Sequence, residues 1–311
     1  MGRRVRHHTR MVPVRLLLAG LLWTAAGLAA QSPAPTSPAP LSSAPLPDQD
    51  AFFAEARKRL ASNDLIQSRY SYRERSTELH LNPFGRNLGT DGVQVYEVYP
   101  HPEDALTYRR LVEDDGRVLT RDELAEQDRE YRAKLVAWQR RLSREGTTGR
   151  AVRMRKAEEA EQRDAALARE ALDMFEFRIT GRSTWENEPA VIVAFRPRPG
   201  VAPRSREGRV ARAFAGQAWV HEHEYEVMNV EATAIEDVSF GWGMIAKLYK
   251  GSTARFTRRR IHGAWLPVET RFAGTGRAIV FRKLEIDFER DYYDYRPFEI
   301  SQLAARLGWE P

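Results

Sequence analysis

The sequence predicts an α+β chain that is mostly antiparallel β. The expected shape is a curved, open half-barrel of about eleven strands with an N-terminal helix and an inserted helical hairpin. Three observations predict it. Residues 216 to 295 form a run of β-patterned segments joined by short turns, and strands connected so briefly pair antiparallel. Within residues 277 to 288, Ala278, Val280, Leu284, Ile286 and Phe288 share one side, with Arg282 as the exception. Lys283, Glu285 and Asp287 fall on the opposite side, beside Ile279 and Phe281, the period of two of a sheet with one buried face. Residues 120 to 172 break the β pattern with a helical one. Long antiparallel strands in a meander curl toward a barrel, and an ordinary sandwich layer is the alternative.

Residues 1 to 30 stand outside the fold. Arg3, Arg4, Arg6, Arg10 and Arg15 make a basic start, followed by the apolar run Leu16 to Ala30, which ends in small residues. That is the layout of a cleaved signal peptide, too short and Ala-rich for a permanent span. Arg3-Arg4 hints at twin-arginine export. The expected location is the periplasm. The signal holds five positive charges against a net charge of +6, so the exported chain is close to neutral and its basicity is no argument for nucleic acid. The chain has no cysteine, which excludes disulfides, thiolate metal sites, a cysteine nucleophile and an N-terminal lipid-modified Cys.

In chain order, residues 31–47 are a Pro/Ala/Ser-rich linker. Residues 48–311 are expected to form one β-domain containing the hairpin insertion 120–172. Asp50 to Asn63 has a helical stripe of Phe52, Phe53, Ala56 and Leu60. Strands follow at Tyr70 and Tyr72, at Val93 to Tyr99 and at Leu106 to Val112, and Asp115-Gly116 turns the chain into residues 117 to 119. Thr120 and Glu123 are spaced as a capping box ahead of Leu124, Tyr131, Leu135, Trp138 and Leu142. Gly146 and Gly149 interrupt before a second helix, Arg150 to Leu172. The β pattern resumes at Met174, turns at Glu186 to Pro189 and continues through Ala190 to Phe195. Arg204 to Arg212 reads as a mobile basic loop. The meander then has strands at 216–220, 225–230, 244–249, 253–261, 264–272 and 277–288. Gly251, Gly263 and Gly274-Thr275-Gly276 act as turns, and a short helix closes the chain at Ser301 to Leu307.

Catalytic patterns are sparse. The chain has no Gly-x-Ser-x-Gly elbow and no phosphate-binding Gly-Lys-Ser/Thr loop. His221-Glu222-His223-Glu224 places two His on one side of a strand, a possible metal pair, but it sits at a predicted hairpin turn without a third ligand, so no metal is expected. Asp291 to Tyr295 offers paired carboxylates for acid/base work, or a strand end with solvated acids, the simpler reading. What remains is aromatic content on strands: Tyr70, Tyr72, Tyr96, Phe195, Trp219, Tyr225, Phe256, Trp265, Phe272 and Phe288. These either fill a core or line an apolar ligand groove. Pro267, lacking an N–H, marks its strand as edge or bulged, which would put Trp265 at the groove mouth.

Three stretches resemble outer-membrane lipoprotein-sorting proteins of the LolA/LolB-like superfamily. They are Trp219-Val220 with Tyr225-Glu226-Val227, Gly263-Ala264-Trp265-Leu266-Pro267, and Tyr293-Asp294-Tyr295-Arg296-Pro297-Phe298. The resemblance covers Met174 to Phe298, and Asp50 to Val112 more loosely. The hairpin departs from it, and the carriers' lid-latching Arg has no counterpart that can be placed. It implies an incomplete β-barrel capped by helices, an apolar groove for acyl chains, no cofactor and no enzymatic activity. The leading expectation is therefore a non-catalytic periplasmic carrier of lipid or lipidated protein, with the ten aromatic residues as its groove. The alternatives are an envelope sensor or adaptor contacting a membrane-protein partner through the hairpin, and a hydrolase whose site is not visible in the sequence.

Overall fold

The computed structural model describes residues 45–60, 66–78, 92–240, 246–278 and 282–308. The signal-peptide reading and nearly all of the linker fall outside them. The described elements are helix α1 (Gln49–Leu60), strands β1 (Tyr70–Glu78) and β2 (Val93–Tyr99), a 3-10 turn (Asp104–Leu106), β3 (Tyr108–Asp114) and β4 (Arg117–Val118). Helices α2 (Arg121–Ser143) and α3 (Thr147–Met174) follow, then β5 (Phe175–Trp185), β6 (Glu188–Pro197), helix α4 (Arg206–Ala211), β7 (Phe214–His221) and β8 (Val227–Ala234). The chain continues through β9 (Val238–Phe240), β10 (Ala246–Leu248), β11 (Thr253–Ile261), β12 (Ala264–Ala278), β13 (Arg282–Pro297) and helix α5 (Ile300–Leu307).

The strands make one 13-stranded sheet in the order β4-β3-β2-β1-β13-β12-β11-β8-β7-β6-β5, with β9 and β10 attached beside β12. Every strand pair is antiparallel. β4 and β5 are its two ends and do not pair with each other, so the sheet is an open half-barrel, as the strand pattern predicts. The first strand of the chain pairs with the last, Tyr70 opposite Pro297 through Glu78 opposite Phe288.

Turn chemistry explains the hairpins. Asp115 (φ 51°) and Gly116 (φ 77°) join β3 to β4, and Glu186 (φ 49°) and Asn187 (φ 70°) join β5 to β6. Two successive positive φ angles match the right-handed twist of a hairpin. The main core lies on one face, where register aligns Val193, Ala218, Val230 and Phe256 across β6, β7, β8 and β11. Phe52 of α1 closes it, its ring 5.3 Å from Tyr225. A second cluster seats α2 and α5 at the β3 end: Tyr131 stacks on Tyr108 at 4.1 Å, beside Leu135, Leu303 and Leu307. Below it Arg110 is held by Asp128 at 2.9 Å and Glu97 at 3.3 Å.

The helical hairpin joins β4 to β5, that is, one end of the open sheet to the other. Its helices of 23 and 28 residues are about 35 and 42 Å long at 1.5 Å per residue. The Thr120–Glu123 capping box is present at the start of α2. α2 is anchored by Tyr131 and Leu135. At the other end of α3, Ala171 and Met174 are buried.

Five expectations change. Residues 277 to 288 are not one strand: β12 ends at Ala278 and β13 begins at Arg282, paired with it, so the run is divided between two neighbouring strands. Gly274-Thr275-Gly276 is not a turn but the interior of β12, and a Cβ on Gly276 would lie 2.0 Å from the Lys247 carbonyl oxygen. These glycines let β10 and Ser252 approach the strand closely, the second use of glycine in a sheet. Gly149 lies within α3. Arg204 to Arg212 is not a loose loop: Ser205 caps α4 by accepting the Gly208 N–H at 2.8 Å, and Glu170 of α3 accepts the Ser205 N–H at 2.9 Å. Finally, β12 is internal to the sheet, so Pro267 marks a bulge rather than an edge. The register slips there, Thr257 facing Glu269 while Arg258 faces Pro267.

Candidate functional site

Two β-bulges coincide on neighbouring strands and open a groove between them. One is the slip at Val268 in β12. The other lies in the β1–β13 ladder, between the pairs Ser71–Arg296 and Arg73–Tyr293, where Asp294 adopts φ 53°. An extra residue bends its strand and re-aims side chains, which is why bulges border functional sites. The groove has a volume of about 840 Å³ and lies over β11, β12 and β13, with Trp185 at the end of β5 and Glu186 of the β5–β6 turn at one rim and Tyr293 to Tyr295 at the other.

Register sets its floor. Thr257, Glu269 and Asp291 are cross-strand neighbours, as are Arg255, Arg271 and Glu289 in the next row but one. Carboxylate oxygens of Glu269, Glu289 and Asp291 lie within 4.8 Å of one another. Burial pushes Asp291 and Glu289 above the usual carboxylate range, and the like charges of their acidic neighbours push the same way against the lowering effect of Arg271. Arg271 bridges Glu269 and, at 2.5 Å, Glu289. The Thr257 hydroxyl donates to Oδ1 of the fully buried Asn229 at 3.0 Å. Arg259 pairs with Glu186 at 2.5 Å and Arg255 with Glu231 at 2.9 Å. Trp185, Ile261, Val268 and the Tyr293–Tyr295 rim add apolar surface beside these charges. The buried Trp185 Nε1 has no hydrogen-bond partner among the described residues. The groove is therefore amphipathic: a charged, internally paired floor between aromatic and aliphatic walls. The three acids are the described group able to reach one cation together, and Arg271 already supplies positive charge there.

The ten aromatic residues singled out from the sequence do not share one surface. Tyr72, Tyr70 and Tyr96 pack with Val98, Leu266, Tyr292 and Tyr295. Phe195, Phe256, Tyr225 and Phe272 belong to the main core, with Phe288 stacked on Phe272 at 5.6 Å. Trp219 and Trp265 pack with Ala190, Met228 and Trp185. Trp265 is 5 % exposed, its Nε1–H donates to Glu224 at 2.7 Å, and Arg260 lies over its ring at 5.0 Å, so it belongs to a packed cluster rather than a mouth. These residues touch the groove through neighbours, Trp219 through Trp185 at 5.2 Å and Tyr70 and Tyr72 through Tyr295. Beneath Trp265 the buried pair Arg258–Glu226 (2.9 Å) is completed by the carbonyls of Trp265 and Val227.

The His221–Glu224 segment is a hairpin turn, as expected. Nδ1 of the buried His221 accepts the backbone N–H of His223 at 3.2 Å and of Glu224 at 3.0 Å, while Nε2 faces Glu188 at 3.3 Å. Both ring nitrogens are engaged in holding the turn, and the two imidazoles do not form a ligand pair.

Sequence reasoning singled out Asp291 but not Glu269, Glu289, Arg255 or Arg271. Their signal was parity: charged residues at odd positions of β11, β12 and β13. Only the register, with its bulge, shows that these rows meet.

The fold and groove together define an α+β open-sheet protein with an amphipathic cleft. No protein-family model matches the chain, and no curated protein matches it. Solved structures similar to it include a DUF1329 family protein from Desulfovibrio piger, at 10 % identity over 82 % of this chain and 98 % of that one, TM-score 0.27. The Pseudomonas aeruginosa MucA/MucB complex matches at 10 % identity over 84 % of this chain and 98 % of that one, TM-score 0.20. Scores this low carry no argument about fold or function. No described helix is long and apolar enough to cross a membrane.

Proposed function

We propose that the chain is a non-catalytic periplasmic binding and carrier protein for lipid or lipidated protein, with the bulge-lined groove as its seat. The observation that carries this reading is the groove's chemistry. An acylated ligand can lay its chain against Trp185, Ile261, Val268 and Tyr293 while its polar head meets the Thr257–Glu269–Asp291 floor. A volume of about 840 Å³ falls within the usual range for small-ligand clefts. Each buried methylene contributes about 0.8 kcal/mol before the costs of binding, so a dozen suffice for useful affinity without a charged contact. Binding rather than turnover is supported by the floor itself, where Arg271 is committed to Glu269 and Glu289 and the Thr257 hydroxyl to Asn229.

The test is native mass spectrometry of protein recovered from its own cell envelope, beside the double variant Ile261→Glu, Val268→Glu. Lipid adducts on the wild type that vanish in a folded double variant are the expected result. Absence of adducts, or adducts that persist in the variant, refutes the groove as an acyl seat. The adaptor reading has one observation in its favour, the exposed tip of the hairpin, and predicts a co-purifying membrane protein lost when that tip is changed.

A further inference from the structure

The turn of the α2–α3 hairpin concentrates positive charge. Between Arg140 and Lys156 the chain carries seven cations (Arg140, Arg141, Arg144, Arg150, Arg153, Arg155 and Lys156) against one acid, Glu145. Arg153 is taken by Glu145 at 3.1 Å and by Glu103, from the segment before β3, at 3.9 Å, and Arg155 pairs with Glu159 at 3.4 Å. The other five are exposed and form no ion pair with any described residue. Between them Met154 is 63 % exposed and Val152 37 %, two of the few large apolar side chains that the described surface leaves in water.

Internal stability does not account for this arrangement. The first turn of α3 has no acidic residue and its N-cap, Gly146, makes no side-chain cap bond. Arg150 and Arg153 follow immediately, at the end of the helix where the macrodipole disfavours cations. Neither Val152 nor Met154 packs into any hydrophobic cluster of the described residues. Met154 lies on the same side of α3 as Arg150 and Val152 on the opposite side, and a basic tip with a protruding Met complements one kind of surface well: anionic headgroups above an acyl layer.

We infer that the hairpin tip docks the protein on an anionic phospholipid surface, with Arg140, Arg141, Arg144, Arg150 and Lys156 on the headgroups and Met154, one turn beyond Arg150 on the same side of α3, inserted between them. Lys and Arg near such a surface each contribute about 1 kcal/mol, equivalent to about a fivefold change in partitioning. The attraction fades within a Debye length of about 8 Å at physiological salt. This docking is independent of what the groove holds, and the two readings fail in different assays.

The test is flotation of protein recovered from the periplasmic fraction with vesicles of equimolar phosphatidylglycerol and phosphatidylcholine, or of phosphatidylcholine alone. Intact mass fixes its N-terminus, so every variant compared differs only at the tip. Binding to the anionic vesicles alone, weakening as salt is raised, is expected of the wild type. The variant Arg141→Gln, Arg144→Gln, Arg150→Gln, Lys156→Gln should bind about two to three orders of magnitude more weakly. Met154→Ser should also lower binding, and should remove the part that survives high salt, whereas Val152→Ser, on the opposite side of α3, should change it less. All six side chains are exposed, so circular dichroism and the denaturant midpoint should not move. Equal binding to neutral vesicles, no binding to anionic ones at low salt, or a fourfold Gln variant that binds like wild type would each overturn the inference. Retention on an acidic polypeptide such as polyglutamate without flotation would overturn it in favour of an acidic protein partner.

Discussion

Replacing Trp265 by Ala separates a packed indole from a groove wall. The side chain is 5 % exposed among Ala190, Met228, Trp185 and Trp219, donates its N–H to Glu224 and lies under Arg260. Truncation removes an aromatic of this burial and leaves a cavity that the flanking ladder cannot close, a change that costs about 3 to 5 kcal/mol. For a domain of this size 1 kcal/mol corresponds to about 2 to 4 °C in Tm, so the variant should melt roughly 10 °C lower. Trp265→Phe, which keeps most of the ring and loses the bond to Glu224, should lose about 1 kcal/mol. The assay is denaturant unfolding followed by circular dichroism, with binding of a fluorescent fatty acid measured on the folded fraction. A loss of less than about 1 kcal/mol in Trp265→Ala, together with a collapse of fatty-acid binding, would instead mark an exposed wall residue.

Leu135→Ala should destabilise by about 2 to 5 kcal/mol, because Leu135 is completely buried where α2 meets β3 and α5; a loss below that range in urea unfolding would mean that the hairpin is not docked. Gly276→Ala should cost about 1 to 3 kcal/mol by forcing the β10 backbone away from β12, and unchanged hydrogen exchange in β10 would contradict the close approach. Asp291→Asn should raise Tm at neutral pH. The folded state raises this acid's pKa, so it holds the proton more tightly than the unfolded chain does; the wild type loses stability as pH rises past the unfolded carboxylate value near 4, whereas Asn does not. The gap between the two melting curves should close as pH falls toward that value, and a gap independent of pH would point to packing instead. His221→Ala should lower stability because two backbone N–H groups of the turn lose their acceptor, with no accompanying loss of bound zinc by elemental analysis.

What the sequence determined by itself was the local layer. The β-rich run before Pro100 and the glycines at 251 and 263 placed β2 and β11 to the residue, and paired turn residues at Asp115-Gly116 and Glu186-Asn187 marked hairpins. The Thr120–Glu123 spacing placed the start of α2, and the short connections made the sheet antiparallel. These features depend on φ/ψ preference and on groups a few residues apart, so neighbours in the chain suffice to specify them. The tertiary structure decided the rest: that the sheet is one open half-barrel rather than a sandwich layer, that the first strand pairs with the last, that the hairpin links the two open ends of the sheet, and that Gly274 and Gly276 serve strand contact rather than a turn. It also decided the groove. Glu269 and Asp291 lie on different strands and meet through the β12–β13 register, while the bulges at Val268 and in β13 decide which side chains share the face beyond that row. Because side chains alternate with a period of two, one extra residue reverses every position beyond it, and that register is set by pairing between strands.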